Sequence, residues 1–239
     1  MKTTKKKFTT IVKIEYMEII KSNFEQFNSQ QIASQQRKRF HLPMSEEELI
    51  EPLTFAYAAC VRERGCEMDI DSELSFRIEK VARWLTLPHG RTGLLLYGTV
   101  GTGKTTMLQA VCRLINYVVS PEYGELTLND SYRQAINIVR AKDIVEAYQN
   151  DRGLFDKMCR LELLAIDEFG VEAIDVKSFG NSNEPIIDLL STRYDRQRVT
   201  LISSNLDLDE IRNRYGLRLQ DRFVEMFKMI AFTGETFRK

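Results

Sequence analysis

Cysteine, histidine, proline and glycine are all sparse in this 239-residue chain, at four, two, five and twelve residues. The cysteines (Cys60, Cys66, Cys112, Cys159) form no C-x-x-C pair, which argues against a disulfide scaffold. His41 and His89 stand alone, so no Cys/His cluster has metal-ligand spacing and no zinc is expected. Proline and glycine are too few for a collagen-like or low-complexity chain. Net charge is also missing: 34 basic side chains balance 34 acidic ones. No apolar run approaches the roughly 20 residues that a bilayer span needs; Leu163–Ile166 is a typical one. The N-terminal stretch MKTTKKKFTT lacks the apolar core of a secretory signal. With 43% hydrophobic and 28% charged residues, the chain reads as globular, reduced and cytoplasmic, with no membrane partner and its thiols as core filler.

The neutral total hides an asymmetry. Residues 1–40 hold nine Lys or Arg against three Glu, and residues 41–71 hold two Arg against eight Asp or Glu. Such a split marks either a solvated arm or a docking surface. Ile11, Ile14, Met17, Ile20 and Phe24 recur at helical spacing, which predicts an amphipathic helix over 10–27, followed by a linker or a frayed helix end over Gln30–Arg39. Ser45 and Glu48 have the form of a capping box for a helix running towards Arg64, with Pro52 as a kink or break and Gly65 as the stop. Leu74, Ile78, Val81, Ala82 and Leu85 line one face of a second helix, ended by Pro88 and Gly90.

Beyond residue 87 the rhythm changes. Short apolar runs at Leu94–Tyr97, Ile136–Val139, Leu163–Asp167, Val199–Ser203 and Met229–Phe232 alternate with helical patterns at 104–119, 143–150, 151–160, 185–197 and 207–225. Strands joined by helical crossovers form a parallel sheet covered on both faces. The expected organisation is a helical N-terminal region with a flexible basic arm over 1–69, then an α/β core over 70–239.

Gly98-Thr99-Val100-Gly101-Thr102-Gly103-Lys104-Thr105 fits G-x-x-x-x-G-K-[ST] in full, between an apolar strand and a helix, with Thr106 one residue on. Glycines allow the backbone to curl so that N–H groups face an anion, and the helix start adds its positive end. Lys104 would place a cation at the β- and γ-phosphates of a nucleotide, and the Thr105 hydroxyl would reach Mg²⁺. The strand Leu163–Asp167 ends in two carboxylates, at the side of a parallel sheet where active groups collect. Asp167 suits the Mg²⁺ shell, and Glu168 could polarise an attacking water; an ordinary surface loop is the competing reading. Ser203-Ser204-Asn205 ends another strand, where Asn205 could sense the γ-phosphate or simply start a turn.

Together these residues resemble an AAA+ ATPase. The stretch Tyr215-Gly216-Leu217-Arg218-Leu219-Gln220-Asp221-Arg222-Phe223 is similar to the arginine-finger box of the DnaC/DnaI helicase loaders and the related IstB transposition helpers. The similarity spans about residues 70–239. It implies a P-loop core with sheet order 5-1-4-3-2 and ATP hydrolysed at contacts within a ring or spiral of copies. It implies Asn205 as first sensor and Arg222 as a finger reaching a neighbour's ATP, with Arg218 the second choice; a solvated basic helix face with Arg212 and Arg214 is the alternative. Only 17 residues follow Arg222, room for a strand and a tail but not for a helical lid, as in the loader group. The resemblance further implies a replicative helicase, or a transposase, held by the N-terminal region, and single-stranded DNA. For the DNA, the polar stretch Gly170–Asn183 with Lys177, Ser178, Phe179 and Gly180 is either a contact loop or an ordinary surface loop. A nucleotide-switched protein with negligible hydrolysis is the remaining alternative.

Overall fold

The computed structural model describes residues 18, 20–28, 39–68, 70–120, 135–178 and 181–234. Ile11, Ile14 and Met17 of the expected first helix, segment 30–38, and Phe179 and Gly180 lie outside the described residues. The chain divides into two compact units, 1–38 and 39–239. In the first, residues 20–28 are helical, with Ile20, Phe24 and Phe27 exposed.

The second unit carries helices α1 (Glu46–Arg62), α2 (Ser72–Thr86), α3 (Lys104–Val119), α4 (Ala141–Asn150), α5 (Arg152–Arg160), α6 (Pro185–Asp195), α7 (Leu208–Tyr215) and α8 (Leu217–Met226). Its strands are β1 (Gly93–Gly98), β2 (Asn137–Arg140), β3 (Leu163–Phe169), β4 (Val176–Ser178), β5 (Asn181–Asn183), β6 (Val199–Ser204) and β7 (Phe227–Phe232). Five of them form one sheet in the order β7-β1-β6-β3-β2, with every pair parallel. Counted along the chain, this is the expected 5-1-4-3-2.

Strand alternation splits the core into two layers. Leu94, Leu96, Leu163, Ala165, Val199 and Leu201 face α1, α2 and α3. Leu95, Leu164, Ile166 and Ile202 face the layer of α4 to α8. Strands buried on both faces must be apolar throughout, which is why β3 and β6 read as continuous hydrophobic runs.

Leu49, Leu53, Tyr57 and Cys60 of α1, from the region expected over 1–69, are buried in the same core layer as α3. Three local expectations change. Helix α1 has its Ser45/Glu48 capping box and continues unbroken through Pro52. Arg39 is no linker residue: its guanidinium donates to the carbonyls of Trp84 (2.7 Å), Leu87 and Arg91 (2.9 Å), satisfying the C-terminal end of α2, and stacks over Trp84. The stretch expected as one helix over 207–225 breaks at Gly216, whose φ of 88° starts α8 in a new direction.

Candidate functional site: a phosphate loop facing an acidic strand end

Loop 98–103 joins β1 to α3, and its shape is set by β7. The Phe232 carbonyl accepts from the Thr99 N–H (3.1 Å) and from the Thr102 hydroxyl (3.0 Å), which also donates to the Thr99 carbonyl (2.8 Å). Gly98 has φ 132°, and a Cβ there would lie 2.3 Å from the Phe232 oxygen, so no side chain fits. Gly98, Thr99 and Thr102 therefore build the loop, whereas Val100, Gly101, Gly103, Lys104, Thr105 and Thr106 line a cleft of about 600 Å³. The Lys104 ammonium donates back to the carbonyls of Gly98 (2.9 Å) and Thr99 (2.5 Å), which holds the cation at the floor of the loop.

Across the cleft, Asp167 stands at the end of β3. Its Oδ1 accepts from the Thr105 hydroxyl (3.0 Å), the Ser203 hydroxyl and the Glu168 N–H (3.1 Å). Glu168 adopts φ 59°, a left-handed conformation that costs a non-glycine residue about 1 kcal/mol or more. Glu168 also lines the cleft. Gly170, at φ 106°, follows and packs against Leu206, where a Cβ would lie 2.6 Å from Leu206 Cδ1. Asn205 lines the same cleft and is exposed.

Most of the far wall of the cleft comes from residues N-terminal to the core expected over 70–239. Tyr57, Val61 and Met68, with Leu74 of α2, supply an apolar surface, and Arg64, Cys66 and Glu67 edge it. Burial pushes the Tyr57 phenol above its usual pKa, so it stays neutral. Arg64 donates to Gln109 of α3 (2.9 Å), tying this wall to the loop's helix. An apolar slot beside a polar cradle suits a flat heterocycle carrying an anionic tail. The signal in the sequence was the helix stop at Gly65, which marks a turn but not what it faces.

A divalent cation fits the oxygen pair Thr105 and Asp167 by the chemistry of its donors, since Mg²⁺ takes hard oxygen ligands and retains water and phosphate as the rest of its shell. Among the described residues no group of three or more His, Cys, Asp or Glu could hold a metal ion.

The two finger candidates differ sharply. Arg222 is outside the cleft and fastened to α6: its guanidinium donates to the Ser191 hydroxyl, lies 3.9 Å from the Asp195 carboxylate and sits 5.2 Å from the Tyr194 ring centroid. Arg218, in the first turn of α8, is exposed and makes no hydrogen bond or ion pair with the described residues. The stretch expected as a loop over Gly170–Asn183 contains the antiparallel hairpin β4–β5. Glu172 secures its base, accepting from the Gly170 N–H (2.9 Å) and the Tyr215 hydroxyl. Burial and the Glu172 carboxylate push the Tyr215 phenol upward.

The loop, sheet order and crossovers define the class: this is a P-loop α/β fold with a five-stranded parallel sheet of order 5-1-4-3-2. The chain is similar to a crystal structure of DnaI, with a TM-score of 0.51 and 17% identity over 83% of this chain and 100% of that one. It is equally similar to a crystal structure of the DnaC helicase loader, with a TM-score of 0.52 and 17% identity over 74% of this chain and 98% of that one. At such identity the likeness speaks for the fold. No protein-family model matches the sequence, and no curated protein matches it. Among the described residues no helix is long and apolar enough to cross a membrane.

Proposed function

We propose that this chain is an ATPase that acts in DNA replication as a helicase loader. The observation that carries the ATPase reading is the 3.0 Å contact between the Thr105 hydroxyl and Asp167, which closes the phosphate loop onto the acidic strand end in a cleft that Glu168 also lines. The loop N–H groups and Lys104 would hold the β- and γ-phosphates, and the base would lie along Tyr57, Val61, Met68 and Leu74. Bound Mg²⁺ would offset phosphate charge beside Thr105 and Asp167. Glu168 would accept hydrogen from the attacking water and hold it in line, and Asn205 would donate to the phosphate or that water. The loader reading is supported by a fold shared with DnaI and the DnaC helicase loader over most of the chain.

In this reading the chain assembles as a ring or spiral with ATP bound, residues 1–69 engage the helicase, and the β4–β5 hairpin follows a single-stranded phosphate backbone. With neutral net charge, DNA affinity per subunit would be low and several copies would have to sum it. Calorimetry with ATP and Mg²⁺ tests the first half: uptake by wild type, and loss of at least about tenfold in affinity for Lys104→Ala, whose cation is removed from the phosphates. Co-sedimentation with a hexameric replicative helicase, lost on deleting residues 1–38, tests the second. Capture of a transposase instead would make the chain an IstB-like helper.

A trans-acting arginine follows from assembly, and its identity is testable. Arg218→Ala should leave ATP affinity and melting temperature unchanged while lowering turnover about 10²-fold or more, since an arginine finger can supply that much to phosphoryl transfer. Mixing it with Lys104→Ala subunits should restore part of the rate at mixed interfaces. Arg222→Ala should instead lower the melting temperature, because it unfastens α8 from α6. Normal melting with lost turnover in Arg222→Ala would give the finger to that residue.

A further inference from the structure

Strands β3 and β6 change register at the acidic end. Ile166 pairs with Ile202, yet Phe169 pairs with Ser204, so Asp167 and Glu168 together oppose the single residue Ser203. This is a β-bulge, and a bulge takes one N–H out of the ladder. That N–H belongs to Glu168. It finds two side-chain acceptors instead: Ser203 Oγ at 3.2 Å and Asp167 Oδ1 at 3.1 Å. The Ser203 hydroxyl in turn donates to Asp167 Oδ1. Ser203 is 2% exposed, and among the described residues the hydrogen bonds of its hydroxyl go to these two.

We propose that Ser203 is the positioning residue that locks the metal-side carboxylate of Asp167 and the water-side carboxylate of Glu168 into one arrangement. The proposal rests on the ATPase reading above. Its logic is geometric. The proton of Ser203 fixes which way Asp167 turns, and so keeps Oδ1 within reach of the Thr105 hydroxyl. Its lone pair holds the Glu168 N–H, and so keeps that residue, which lines the cleft, in its left-handed conformation. An alanine at 203 removes both restraints while leaving the phosphate loop untouched. Asp167 then retains Thr105, but Glu168 loses one of the two acceptors that stabilise a strained backbone.

The test compares wild type, Ser203→Ala and Ser203→Thr, with active sites counted by nucleotide binding so that partial unfolding does not pass for lost catalysis. In EDTA, Ser203→Ala should bind ATP as wild type does. With Mg²⁺ added, the tightening of ATP affinity seen for wild type should shrink, and kcat should fall about 10- to 100-fold, the usual cost of removing a group that orients a metal-side ligand. KM for ATP should rise no further than the lost Mg²⁺ tightening accounts for, because binding by the loop itself is intact. Ser203→Thr keeps the hydroxyl and should recover most of the rate and the Mg²⁺ response. Wild-type kcat and Mg²⁺ response in Ser203→Ala would overturn the proposal, as would failure of Ser203→Thr to recover either at an unchanged melting temperature. Absence of ATP uptake by wild type would overturn the ATPase reading itself, an outcome distinct from both.

Discussion

Glu168→Gln is expected to bind ATP as tightly as wild type and to hydrolyse it at least about 10²-fold more slowly, the range for losing a positioned general base. The exchange is isosteric, and glutamine at φ 59° carries the same backbone cost as glutamate, so the bulge should persist. The residue makes its contacts to Ser203 and Asp167 through its own N–H, which the substitution leaves in place. What disappears is only the carboxylate facing the cleft. Single-turnover hydrolysis and calorimetric ATP affinity, measured on the same preparation, separate the two effects. Equal and slow turnover in wild type and variant would remove catalysis from Glu168 and leave a nucleotide-switched protein. A matching loss of affinity would mean that the side chain holds the nucleotide in place.

How far the sequence discloses this site depends on whether a feature is local. Gly98 to Thr105 is legible because a phosphate cradle needs particular residue types at consecutive positions. The strand runs are legible because burial on both faces demands unbroken apolar character, and crossover spacing then dictates a parallel sheet. Ser203 could be seen at a strand end, but its role arises from a one-residue register shift between strands 36 positions apart, which no local pattern records. The cleft wall at Tyr57, Val61 and Met68 escaped for a related reason. The change from helices alone to alternating strands and helices suggests a boundary near residue 70, whereas tertiary packing of α1 against α3 buries that helix with the core. Arg39 sits at the end of a polar stretch and reads as linker, because an arginine that caps another segment's carbonyls looks locally like any surface cation. Gly216 was visible, yet continuous apolar spacing on both sides of it masked a break that its positive φ imposes.

The second large effect is on stability. Arg193→Met should lower unfolding free energy by about 3 kcal/mol or more, the cost of leaving several buried acceptors without their donor. Arg193 is fully buried on α6, and its guanidinium donates to Thr200 Oγ1 (2.8 Å) and to the carbonyls of Met158 (2.9 Å), Leu161 (2.8 Å) and Val199 (2.5 Å). Those acceptors belong to the end of α5, the turn after it and the start of β6, so one side chain ties three segments beneath the sheet. Burial pulls its pKa down to about 9, which still leaves it charged at neutral pH. Methionine fills comparable volume but donates nothing, so three carbonyls and the Thr200 hydroxyl lose the donor that Arg193 supplies in a dry interior. Denaturant unfolding followed by circular dichroism reads the loss directly. The cleft residues lie at the opposite ends of β3 and β6, because Val199 and Thr200 begin the strand that Ser203 and Ser204 finish. ATP affinity of the folded fraction should therefore be preserved. A melting temperature equal to that of wild type would show that the surrounding chain can satisfy these acceptors without the arginine.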